Sequence, residues 1–134
     1  MIQAEIDSQR GGGAPATQVL EAWDLKALED VLTSHADAFD TTISLTDTDR
    51  PDRQLLIALD ARQCVVGLVD GDAVYQLRSA EGDTPDFVTL NIGGQPTRLE
   101  RHYVISPGHT QRVAVAFAFG NDEALSEAFL WERR

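Results

Sequence analysis

Apolar residues first recur at helical spacing in the third decade of the chain. Leu25, Leu28, Val31 and Leu32 fall on one face, with Lys26, Glu29 and Asp30 turned away. The spacing predicts an amphipathic helix that opens at an Asp24 N-cap and ends near His35 or Asp37. From Thr41 the period changes to two. Residues 41–47 alternate Ile43 and Leu45 with polar neighbours, and β-prone runs follow at 54–60, 64–70, 73–79 and 87–92. Asp70-Gly71-Asp72 is a hairpin signal, because glycine takes the positive φ that a tight turn needs. Five strands in succession with short links predict an antiparallel β-meander.

Beyond the meander, Gly93-Gly94-Gln95-Pro96 reads as a strand break, followed by a strand over 99–105. Ser106-Pro107 marks a second helix, with serine as N-cap and proline at the first helical position. That helix runs to Phe119 and stops at Gly120, and residues 128–132 form a final strand carrying Trp131. At the other end, residues 17–22 are β-prone, and residues 1–6 suit either a short strand or a loose end. Gly11-Gly12-Gly13 and Pro15 read as a linker rather than a phosphate cradle, since no Lys-Ser/Thr pair follows, so residues 1–16 are expected to be a flexible segment. The expected whole is a single α+β domain over 1–134. It has an antiparallel β-meander sheet of about five to seven strands with two α-helices packed on one face.

Charge narrows the function. Eleven Lys and Arg against 22 Asp and Glu leave a formal net charge of −11, and Lys26 is the one lysine. A chain this acidic is repelled by phosphate backbones, so direct nucleic-acid binding is not expected. Basic protein surfaces attract it, and charge complementarity raises on-rate and specificity. A solubilising surface would explain the same charge. The lone Cys64, in a strand-like run without a basic neighbour, reads as a small buried hydrophobe. Residues 1–10 carry Glu5 and Asp7 and lack an apolar core, so no secretory leader is expected, and no run approaches 18 apolar residues. The expected compartment is the cytoplasm and no membrane partner is expected.

Catalytic spacing is missing. His35, His102 and His109 show no i, i+4 pairing of the kind that marks a zinc hydrolase. Asp47-Thr48-Asp49 has the opening spacing of a calcium loop, but Asp52 stands where glycine is required and Ala58 where glutamate is. No nucleophile elbow or dinucleotide fingerprint occurs. The expectation is a non-enzyme without cofactor or metal.

The C-terminal half carries a resemblance. The carrying residues are Gly67-Leu68-Val69-Asp70-Gly71, Thr89-Leu90-Asn91-Ile92-Gly93-Gly94-Gln95-Pro96-Thr97, the 107–119 helix and Phe129-Leu130-Trp131. Together they resemble the immunity-protein family found beside bacterial polymorphic toxins, often toxins with a cytosine-deaminase domain. Family-pattern positions are Gly93, Gly94, Gln95, Thr97 and Trp131. This chain has Arg98 where such sequences often place an acid after the turn threonine, with Glu100 two positions on. The resemblance implies a protein that binds a cognate toxin and blocks its basic substrate site.

Acidic loops are the expected contacts. Alternate meander turns lie at opposite sheet ends, so Asp47, Asp49 and Asp52 can share an end with Asp70 and Asp72, while the loop of Glu81, Asp83 and Asp86 cannot join both. Two other readings stay open. One is a small-ligand protein or enzyme with a pocket near His102, Tyr103 and His109. The other is an acidic accessory or chaperone of a secretion system. Trp131 is expected in the core rather than at an interface.

Overall fold

The computed structural model describes residues 2–8, 16–22, 25–79 and 86–134. Its centre is a seven-stranded antiparallel sheet. The strands are β1 (Ile2–Ser8), β2 (Ala16–Ala22), β3 (Thr41–Asp47), β4 (Arg50–Asp60), β5 (Gln63–Asp70), β6 (Ala73–Arg78) and β9 (Leu130–Arg133), in the spatial order β2-β1-β3-β4-β5-β6-β9. β3 to β6 are the expected meander.

Alternation decides which side of the sheet is dry. Ile6, Ile43, Ile57 and Val66 lie opposite one another across β1, β3, β4 and β5, as do Ala4, Leu45, Leu55 and Leu68. All eight are buried. Helix α1 (Leu25–Ser34) covers this face with Leu28, Val31 and Leu32, and α2 (Pro107–Ala118) with Val113, Ala114 and Phe117. Burying one Leu- or Phe-sized side chain contributes roughly 1.5–3 kcal/mol, so this two-layer contact is the main source of stability. The start of α2 is as expected: the Ser106 hydroxyl accepts from His109 N at 3.2 Å, and Pro107 stands at the first position. The proposed Asp24 cap and the glycine linker at 11–13 lie outside the described residues.

Four expectations need correction. Ile2–Ser8 is not part of a flexible 1–16 segment; it is an interior strand, because Ile2, Ala4 and Ile6 alternate with polar residues and fit the apolar face. Phe87–Ile92 (β7) is not a fifth meander strand. It pairs with β8 (Gln95–Glu100) in a separate two-stranded sheet. Gly93 and Gly94 have φ of 60° and 80°, the signs a type I′ turn requires, so they close a hairpin rather than end a strand. The strand expected over 99–105 is instead the end of β8, a 3-10 turn at Arg101–Tyr103, and a single bridge from Ile105 to Cys64. Besides the two expected helices, a short third one, α3 (Asp122–Glu127), follows α2, with the Asn121 side chain capping Ala124 N at 3.1 Å.

The β7–β8 hairpin lies on the sheet face away from the helices. Ile92 shares a groove of about 390 Å3 with Thr42, Leu56, Ala58 and Val65, the residues that alternate with the buried ones. Two carboxylates tie it down. Asp60, 8% exposed, accepts from Asp40 N at 3.2 Å and Asn91 N at 2.9 Å, and Asp40 accepts from Gly94 N at 3.0 Å. The hairpin tip is thereby held where β3 begins and β4 ends.

Candidate functional site

The other end of the sheet carries the aspartates. The β3–β4 and β5–β6 turns emerge side by side there, joined by a hydrogen bond from Gly71 N to Asp52 O at 3.1 Å. Asp49, Asp52, Asp70 and Asp72 are exposed, and Asp47 is half-buried. The stretch expected as a loop over 47–52 is shorter than that. Only Thr48 and Asp49 form the turn, and Asp52 already belongs to β4. Asp47 Oδ1 accepts from Asp49 N at 2.9 Å, which fixes the turn. In the third acidic loop, Asp86 is described, exposed and 3.8 Å from Arg101, while Glu81 and Asp83 fall outside the described residues.

Two arginines run beneath these aspartates. Arg53 is at an inward-facing position of β4, directly across from Asp70 of β5, and its side chain is only 6% exposed. Its Nη1 donates to Asp122 Oδ1 at 2.9 Å, while Arg50 Nη1 donates to Asp122 Oδ2 at 3.1 Å. Asp122 therefore clamps the sheet to α3. The hydrogen bond from Arg50, and then the charge and hydrogen bond of Arg53, hold its carboxyl below the usual carboxylate range. Arg53 Nε lies 3.8 Å from Asp70 Oδ1 and has no hydrogen-bond partner. Asp47, Asp49, Asp52, Asp70, Asp72 and Asp122 thus bring six negative charges against the two positive charges of Arg50 and Arg53.

A cavity of about 560 Å3 opens beside this cluster, between the sheet and the α3–β9 segment. Leu68, Tyr75, Leu125, Phe129 and Trp131 line it, with Arg53, Asp70 and Asp122. Trp131 is thus both a core and a surface residue. It packs against the core cluster while lining the cavity, and its indole N–H donates to Leu125 O at 2.8 Å. Sequence reasoning missed the cavity because α3 is one and a half turns long, too short for a periodic signal. Arg53, ahead of Leu55, Ile57 and Leu59 on the inward face of β4, was the one available clue.

The remaining candidates are scattered. Gly93, Gly94, Gln95 and Thr97 belong to the hairpin, whose tip is anchored at the opposite sheet end from the aspartate turns. His102 is buried against Tyr103, with Nε2 3.1 Å from Glu100, and the Tyr103 hydroxyl donates to Glu132 at 2.9 Å. His109 packs edge-on to Phe129 and its Nδ1 lies 2.9 Å from Arg112 Nη2. None of the three lines the 560 Å3 cavity. Cys64 is fully buried, and burial pushes its thiol up, away from the reactive thiolate. His35 Nδ1 sits 2.9 Å from Val31 O at the end of α1. Among the described residues no group of three or more His, Cys, Asp or Glu could hold a metal ion, and no helix is long and apolar enough to cross a membrane. No protein-family model and no curated protein matches the chain.

Proposed function

We propose that the chain is an immunity protein: a cytoplasmic binding protein that docks on a basic protein surface and blocks it, the target being a nucleic-acid deaminase toxin. The observation that carries the reading is the pairing of the β3–β4 and β5–β6 turns at one sheet end, which presents Asp49, Asp52, Asp70 and Asp72 together to solvent. An enzyme that acts on DNA or RNA needs a basic groove, and an acidic surface on a chain of net charge −11 is steered to such a groove and competes with its substrate. The likeness of the 89–97 turn and Trp131 to immunity proteins supports the choice of target class.

The test is co-purification with the protein encoded beside its gene. The expected partner is a toxin with a deaminase domain, bound one to one and inactive in the complex. Asp49→Lys with Asp72→Lys should slow association at low salt and matter less at high salt. A neighbouring gene without such a domain, together with no stoichiometric protein partner in lysate, would overturn the reading.

A further inference from the structure

We infer that the cavity between β5–β6 and α3–β9 receives an arginine side chain of the protein partner, anchoring the complex next to the acidic turns. This deepens the docking reading above and rests on it. Tyr75, Phe129 and Trp131 supply aromatic surface, and Asp70 supplies a carboxylate whose side chain is 48% exposed, beside Asp122, whose two oxygens already accept from Arg50 and Arg53. A guanidinium is the group that uses both. Its flat faces stack on aromatic rings, its edges donate to carboxylates in a fixed fork, and it sheds water more readily than an ammonium.

The competing occupants fit less well. An anion would meet Asp70 and Asp122 before Arg53, whose side chain is 6% exposed and whose Nη1 is already bonded to Asp122. An apolar side chain would strip water from the Asp70 carboxylate and return no hydrogen bond to it. Asp70 is positioned to respond to a cation: at 3.8 Å from Arg53 Nε it is too far for a hydrogen bond, so its carboxylate can turn to the cavity mouth without breaking one. Asp70 also ends β5 where the β5–β6 turn begins, so the cavity adjoins the acidic end. Arginine and aromatic anchors seated in pockets carry a disproportionate share of binding energy at protein interfaces.

The experiment is an NMR titration of the full chain with Nα-acetyl-arginine amide, read at the Trp131 indole N–H. Nα-acetyl-norleucine amide and Nα-acetyl-glutamate amide serve as the apolar and anionic comparisons. A saturable shift with the arginine probe is expected, weakened about fivefold by Asp70→Asn, the effect of one partly exposed ion pair. Ser126→Trp, which fills the mouth from an exposed position, should abolish it. No saturable shift, or an equal or stronger response to either comparison compound, overturns the inference. The two proposals fail separately. Arginine binding without any protein partner would sink the docking reading while leaving the cavity's preference for a guanidinium standing. A partner whose affinity depends on Asp49 and Asp72 but not on Ser126→Trp would sink the cavity alone.

Discussion

Arg53 of β4 and Asp122 of α3 meet at 2.9 Å, 69 residues apart in sequence, and this contact joins the acidic sheet end to the last helix. The guanidinium is 6% exposed and its carboxylate partner 55%. The cost of breaking the pair is therefore set by what happens to the buried cation. Asp122→Ala leaves Arg53 with Asp70 at 3.8 Å as its nearest counter-charge. The expected loss is about 1–3 kcal/mol, less than the ~3–5 kcal/mol of a fully buried pair because Asp122 keeps solvent contact. Replacing both, as Arg53→Met with Asp122→Ala, should cost less than Asp122→Ala alone, since no charge is then stranded. Urea unfolding of the three variants decides it. A double variant weaker than the single one would show that Arg53 acts through its packing over Phe117, 5.6 Å away, rather than its charge.

The same carboxyl gives stability a pH dependence. Asp122 is held below its ordinary value of 3.8, first by the hydrogen bond from Arg50 and then by Arg53. A depressed acid stabilises the fold fully above its unfolded value and loses that contribution as pH falls through the folded value. The stability gap between the wild-type chain and Asp122→Asn should be widest at and above about pH 5 and close below pH 4. A gap that stays constant from pH 5 to pH 2 would remove Asp122 from acid unfolding.

His109 is the opposite kind of group, a base made weaker. Burial against Phe129 lowers its pKa first and the charge of Arg112 second, both from an ordinary 6.5. The neutral ring accepts at Nδ1 from Arg112 Nη2, a bond that protonation would destroy. The folded state thus binds the proton less readily than the unfolded chain. This contribution is complete above pH 6.5 and fades as pH drops through the folded value. An NMR titration of the imidazole C–H signals should give a midpoint below 6.5. Arg112→Ala should raise it only part of the way, because burial remains. A full return to 6.5 would mean that charge, not burial, dominates.

Legibility in the sequence followed how local each cause was. Alternation over 41–47 and 64–70 and the Ser106-Pro107 cap are local, and those elements form where they were read. Strand partnership is not local. Nothing within residues 87–92 says that they leave the meander; the two positive-φ glycines that follow decide it. The insertion of β1 between β2 and β3 depends on chain more than 30 residues away. The aspartate turns were legible as neighbours because turn parity follows from a meander alone. Arg53 and the cavity were not, since both depend on where the short α3 comes to rest.

The β4–β5 turn was invisible for a different reason, and it predicts a stabilising change. Ala61 and Arg62 both have positive φ, at 50° and 66°, the signs of a type I′ turn built from residues that disfavour it. Ala61→Asn with Arg62→Gly restores the preferred pair. The gain should be about 1 kcal/mol, reduced slightly by loss of the exposed Arg62–Asp37 contact at 3.0 Å. Urea unfolding should show a higher midpoint with an unchanged slope. A lower midpoint would mean that the arginine contact outweighs the backbone strain.

The hairpin is expected to open independently of the sheet, and Asp60 is the residue that controls it. Gly93 to Pro96 are exposed, as are Phe87, Thr89 and Asn91, while Leu90 is buried. One buried apolar side chain contributes roughly 1.5–3 kcal/mol, too little to hold 14 residues without the bonds at the hairpin tip. Asp60 supplies those bonds to Asn91 N and, through Asp40, steadies the acceptor for Gly94 N. Asp60→Ala should therefore speed amide exchange at Asn91 and Gly94 by much more than at Ile43 or Ile57 in the central strands. Asp60→Asn keeps one acceptor oxygen and should fall between the two. Equal acceleration at all four amides would mean that hairpin and sheet unfold as one unit, with Asp60 contributing only to global stability.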